Sequence, residues 1–93
     1  MDRNNAETIA ISALAFLADG EQRLGRFLAL TGLGPAELKA DARTPRVLAA
    51  VLDHLLHDEN LLLVFATSYR IAPELIAPAQ RLLAEHAGRS SEP

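Results

Sequence analysis

The 93-residue chain contains no cysteine. That excludes disulfides, thiolate metal sites and cysteine nucleophiles together. β-Branched residues are few: four Ile, three Val and four Thr, against 17 Ala and 17 Leu. The chain is poor in strand formers and rich in helix formers. Positive charge is also in short supply. Nine Lys and Arg face 12 Asp and Glu, for a net charge of −3, so the chain lacks the basic footprint that binds phosphate backbones. Long apolar runs are missing too. The longest, Ile9 to Ala18, is broken by Ser12 and is about half of the roughly 20 residues a membrane helix needs. The segment before it carries Asp2, Arg3 and Glu7 instead of a positive leader, and Ala13-Leu14-Ala15, which mimics a cleavage site, lies inside the apolar run. These features predict a cytoplasmic protein without a membrane segment or signal peptide.

What is present is the composition of a globular protein, 49 % hydrophobic and 23 % charged. The length suits one domain with one modest core. Residues 5–87 are predicted to form a single all-α domain of about six helices, and residues 88–93 a disordered C-terminal tail. Helix 1, about Asn5 to Ala18, opens on a capping box of Asn4 and Glu7. It is apolar over most of its circumference, so it is either central in the core or offers a face to a partner. Asp19 and Gln22 suggest a second capping box for helix 2. Gly25 inside that helix suggests close approach of another helix, and Gly32 a left-handed C-terminal cap. Pro35 opens a short helix 3 and Thr44-Pro45 opens helix 4, whose core stripe is Val47, Leu48, Val51, Leu52, Leu55 and Leu56. Asp58 caps helix 5. Its run from Leu61 to Ala66 has the look of a buried strand, but the Asp-Glu-Asn start and the helical surroundings favour helix. Helix 6 opens at Pro73, is kinked or interrupted by Pro78, and is capped by Gly88. Helices 1, 4 and 5 are expected to be the most buried.

Residues 6–43 align with 44–81 without gaps at an offset of 38, with seven identical pairs that include Phe27/Phe65 and Pro35/Pro73. Roughly four identities are expected by chance from such a composition. Two readings stand: two three-helix units about a pseudo-twofold axis, or a helical array whose turns happen to be alike.

The densest polar cluster runs from Asp53 to Glu59. His54, His57 and Asp58 have spacings that place them near one another on a helix and could hold a divalent metal for hydrolysis. The alternative is a polar helix face with an Asp53–His57 pair near its end. Leu28, Gly32, Leu33 and Leu38 fall where a helix-turn-helix places its turn and packing residues. Its second helix, Pro35 to Arg43, carries no net charge, which suits packing better than DNA binding. Arg23, Arg26, Arg43 and Arg46 are either a patch or a solvated face. No serine sits in a nucleophile turn and no Gly-rich phosphate loop is present. No catalytic, cofactor-binding or metal residues are therefore assigned.

The segments Ala13 to Asp19, Leu24 to Leu38, Val51 to Glu59, Leu62 to Ala66 and Ala72 to Glu74 together resemble a family of short all-helical alphaproteobacterial proteins known as a domain of unknown function. The resemblance covers about residues 6–85. It implies a compact helical fold and no particular activity. One departure is visible: Tyr69-Arg70 stands where a glycine echoing Gly32 is expected, which puts the geometry of that turn in question.

The leading functional reading is a small non-catalytic interaction module or homo-oligomer subunit, based on the apolar circumference of helix 1. Its partner is another protein or a second copy, with nucleic acid disfavoured. The rivals are a DNA-binding regulator and, behind it, a metal-dependent hydrolase.

Overall fold

The computed structural model describes residues 1–90. Its helices are α1 (Arg3–Ala18), α2 (Glu21–Thr31), α3 (Pro35–Asp41), α4 (Pro45–Leu56), α5 (Glu59–Tyr69) and α6 (Ile76–Ser90), with a 3₁₀ turn at Pro73–Leu75 before the last. No strand occurs among the described residues. The fold is all-α, as the composition predicts.

Three helices make the core. α1, α4 and α6 pack against one another, and the other elements lie around them. α1 contributes Ala6, Ala10, Ala13 and Leu17, all fully buried at helical spacing. Its three alanines let neighbouring backbones approach closely. α4 contributes the stripe Val47, Leu48, Val51, Leu52 and Leu55, while Leu56, expected to end that stripe, is exposed at the last turn; α6 contributes Ile76, Ala79 and Leu83. The radius of gyration, 12.3 Å, is that of a close-packed chain of this length.

The helix starts follow side-chain chemistry. Thr44 Oγ1 accepts from the Val47 amide at 3.3 Å, and Asp58 Oδ1 from the Leu61 amide at 3.2 Å. α1 begins earlier than its sequence suggests: the cap is Asp2, whose Oδ1 accepts from the Asn5 amide at 2.8 Å. Glu7 is turned instead to Arg3, 2.8 Å away at i, i+4, so the Asn4–Glu7 box does not form. The Asp19–Gln22 box is absent as well. Asp19 has αR backbone angles that end α1, and Gly20 takes the extended N-cap position.

Other expectations need correction. Gly25 is not a close-approach site, because a Cβ there would meet nothing within 4 Å. Helix 5 is not among the most buried. Of α5 only Phe65 and Ala66 are buried, and the third core helix is α6. Six consecutive apolar residues go round a helix, so those on its outer side stay uncovered when only one side is packed. Pro78 does not kink a formed helix. The chain makes a 3₁₀ turn first and starts α6 at Ile76, which puts Pro78 in the first turn, where its missing N–H is not needed. α6 continues past Gly88 to Ser90, so no cap forms at Gly88. Residues 91–93 of the expected tail lie outside the described residues.

The missing glycine is replaced in place. Arg70 itself adopts the left-handed conformation (φ 55°, ψ 45°) that Gly32 adopts 38 residues earlier (φ 77°, ψ 5°).

Candidate interaction surface

α5 is anchored on one side only. Phe65, fully buried, lies 5.5 Å from the Phe16 ring and 5.1 Å from Tyr69. Phe16 also meets Tyr69 edge-on at 6.2 Å and carries the Arg23 guanidinium over its ring, 4.2 Å from the ring centre. Arg23 Nε donates to the Phe16 carbonyl at 3.2 Å. This cluster fixes the inner side of α5 to α1.

The outer side faces away from the core. Leu63 is 44 % exposed and Val64 is 51 % exposed. With Thr67 and Ser68 they line a shallow groove of about 310 Å³. From Asn60 to Ser68 this face bears no charge. A single exposed leucine is ordinary on a soluble protein; here two adjacent large apolar side chains on an uncharged helix face make a small exposed apolar patch. The six-residue run from Leu61 to Ala66 held the signal, since helical spacing leaves Leu63 and Val64 opposite Phe65 and Ala66.

α1, the basis of the sequence reading for a partner, does not supply that surface. Six of its residues are buried and Ile11 and Leu14 are half-buried against the core. Of its two predicted roles, the central one is realised.

The metal trio is not assembled. Asp58 is occupied as the α5 cap. His57 is exposed, with Nδ1 2.8 Å from the Asp53 carbonyl oxygen and 3.6 Å from its carboxylate. His54 is buried, its ring edge-on to Phe27 at 5.3 Å. Among the described residues no three His, Asp or Glu side chains converge as metal ligands. The helix-end pair, Asp53 with His57, is what forms. His54 carries an internal polar orphan: Nε2 has no hydrogen-bond partner. Burial lowers the pKa of this imidazole below its usual 6.5, opposed mainly by the nearby Asp58 carboxylate. His54 and His57 line a groove of about 320 Å³ with Leu30, Thr31, Ala50 and Asp53.

The helix-turn-helix residues serve packing. Leu38 is buried, and Leu28 and Leu33 are half-buried against the core. On the outside of α3, Glu37 and Asp41 turn to Arg46, at 3.7 and 3.3 Å. Two of the four candidate patch arginines are thereby committed, Arg23 to the Phe16 ring and Arg46 to these acids.

A family model described as a protein of unknown function (DUF3572) matches residues 3–86. The chain belongs to the DUF3572 family. The DUF3572 match spans every helix, from the start of α1 into α6, and so includes both the three-helix core and the outer face of α5. No curated protein and no solved structure matches the chain. Among the described residues no single helix is long and apolar enough to cross a membrane.

Proposed function

We propose that this DUF3572 chain is a small, non-catalytic, cytoplasmic protein-interaction module that docks through the outer face of α5. The observation that carries this reading is the pairing of Leu63 and Val64, 44 % and 51 % exposed, on a helix face without charge. Burying such a pair in a partner returns about 25 cal/mol per Å² of apolar area. The rest of the helix is held by the Phe16–Phe65–Tyr69 cluster, so the surface is presented ready-formed and costs little ordering on binding.

Site-specific photo-crosslinking in the native host tests this. A photoreactive residue at position 68, beside the apolar pair, is expected to give a discrete covalent adduct. Leu63→Glu is expected to abolish it while leaving the thermal midpoint of the purified chain unchanged. An adduct pattern indifferent to Leu63→Glu overturns the reading.

A further inference from the structure

We propose that the occupant of this face is a second copy of the same chain, with the two α5 helices packed antiparallel across a twofold axis between Leu63 and Val64. This rests on the reading of α5 as a docking surface and adds its partner and register.

The argument is one of self-complementarity. A closed dimer needs a patch that matches itself under a twofold rotation. The ends of α5 carry opposite charges: Glu59 in the first turn and Arg70 at the C-cap, both exposed. Neither takes part in an ion pair among the described residues. Everything between them on the outer face is neutral: Asn60, Leu63, Val64, Thr67 and Ser68.

An axis between Leu63 and Val64 sets each Leu63 level with Val64 of the second copy. Asn60 is then level with Thr67, an amide opposite a hydroxyl, and Glu59 is level with Ser68. Arg70 lies two residues further, about 3 Å along the helix, a gap that its flexible side chain spans. Each end of the pair thus joins one free carboxylate to one free guanidinium. Parallel packing would set Glu59 on Glu59 and Arg70 on Arg70. Antiparallel packing also opposes the two helix dipoles. An unrelated partner would have to supply both charges in the matching order, whereas a second copy supplies them by symmetry.

α2, the helix 38 residues earlier, shows what a face without this role looks like. It has Gly25 and Arg26 where α5 has Leu63 and Val64. An eleven-residue helix is about 16 Å long, so the contact falls in the small class, below about 1,200 Å² in total. The dimer is correspondingly weak and its formation depends on concentration.

Sedimentation equilibrium of the full chain from about 10 µM to 1 mM is the test. The wild type is expected to shift from monomer to dimer across this range, and Leu63→Glu to remain monomeric with an unchanged circular dichroism melting midpoint. Glu59→Arg and Arg70→Glu are each expected to weaken the dimer roughly tenfold, since each reverses two symmetry-related pairs. An equimolar mixture of these two variants is expected to recover the wild-type affinity as a heterodimer, because both cross-chain pairs regain opposite charges; a parallel register, whose wild type sets like charges together at both ends, would instead make the mixed dimer tighter than the wild type. A wild type that stays monomeric at 1 mM overturns the proposal, as does a dimer indifferent to Leu63→Glu or one not recovered in the mixture. A monomeric wild type whose cellular crosslink still vanishes with Leu63→Glu overturns the dimer alone and leaves α5 as a docking surface for another protein.

Discussion

α2 and α5 are both eleven-residue helices, they start 38 residues apart, and each turns one fully buried phenylalanine inward, Phe27 and Phe65. Their surroundings correspond too. Gly20 and Asp58 are the N-caps, Gly32 and Arg70 the left-handed C-caps, and Pro35 and Pro73 open the following segments. Even one ring contact has a counterpart. Phe16 packs on Phe65, and His54, 38 residues after Phe16, packs on Phe27. What differs is the other side of each helix. The inward residues and turns are alike because packing and capping impose the same demands on both. The outer faces are free of those demands, and there the second helix carries Leu63 and Val64 where the first carries Gly25 and Arg26.

The largest expected effects test whether the two inward anchors are equivalent. Phe27→Ala and Phe65→Ala should each cost about 3–5 kcal/mol in urea denaturation. Phe65 should be the costlier by about 1 kcal/mol, because it also loses its tilted contacts with Phe16 and Tyr69. A loss below 1 kcal/mol at either position would separate the two helices.

The C-caps come next. The Gly32 turn closes with its amide donating to the Leu28 carbonyl at 2.9 Å. The Arg70 amide likewise donates to the carbonyl four residues back, on Ala66, and that turn adds a second closure one residue further on, with the Ile71 amide donating to the same carbonyl at 2.9 Å and Ile71 packed against the core. This wider closure, together with Ile71, offsets the cost of a left-handed arginine. Gly32→Ala should therefore destabilise by about 1 kcal/mol, and Arg70→Gly should stabilise by up to about 1 kcal/mol. Equal signs for the two changes would show that the turns are not equivalent.

Gly25→Ala should raise stability by just under 1 kcal/mol, since it fills open space in an exposed helix interior. The smallest effect concerns His54. Its pKa is lower in the folded chain than in the unfolded one, chiefly through burial. As pH falls through about 6.5 the unfolded chain takes up the proton first, so stability is complete above that range and declines below it. His54→Phe reproduces the residue that stands at position 16. It should remove the orphaned Nε2 and flatten this decline between pH 7 and pH 5, as read from melting midpoints. A decline that persists in full would assign it to other groups.

Local chemistry was legible in the sequence and the choice of buried side was not. Thr44, Asp58, Gly32, Pro35 and the α4 stripe all stand where a hydrogen bond, a fixed φ or a helical period demands those residue types. Asp2 displaced Asn4 as the first cap because both residues suit the role and α1 gains two residues, with the Arg3–Glu7 pair, by starting sooner. The exchange of α5 for α6 in the core has a different origin. α5 has the more apolar sequence, but α6 has the better-sorted one, with Ile76, Ala79 and Leu83 on one side. Burial follows the sorting of residues between faces more than their total. The same circumstance hid the candidate surface, since Leu63 and Val64 read as core until the packed side of α5 was known.

The position of α6 also bears on how the chain leaves the ribosome. α1 and α4 rest on each other but share α6 as their largest neighbour, so the apolar faces of residues 6–17 and 47–55 are only partly covered until residues 76–83 have emerged. At about 5–20 residues per second, α1 waits several seconds beside an unfinished core. A chain interrupted before Ile76 would leave the part of both faces that α6 covers open, and such a fragment is the form of this protein most in need of a chaperone.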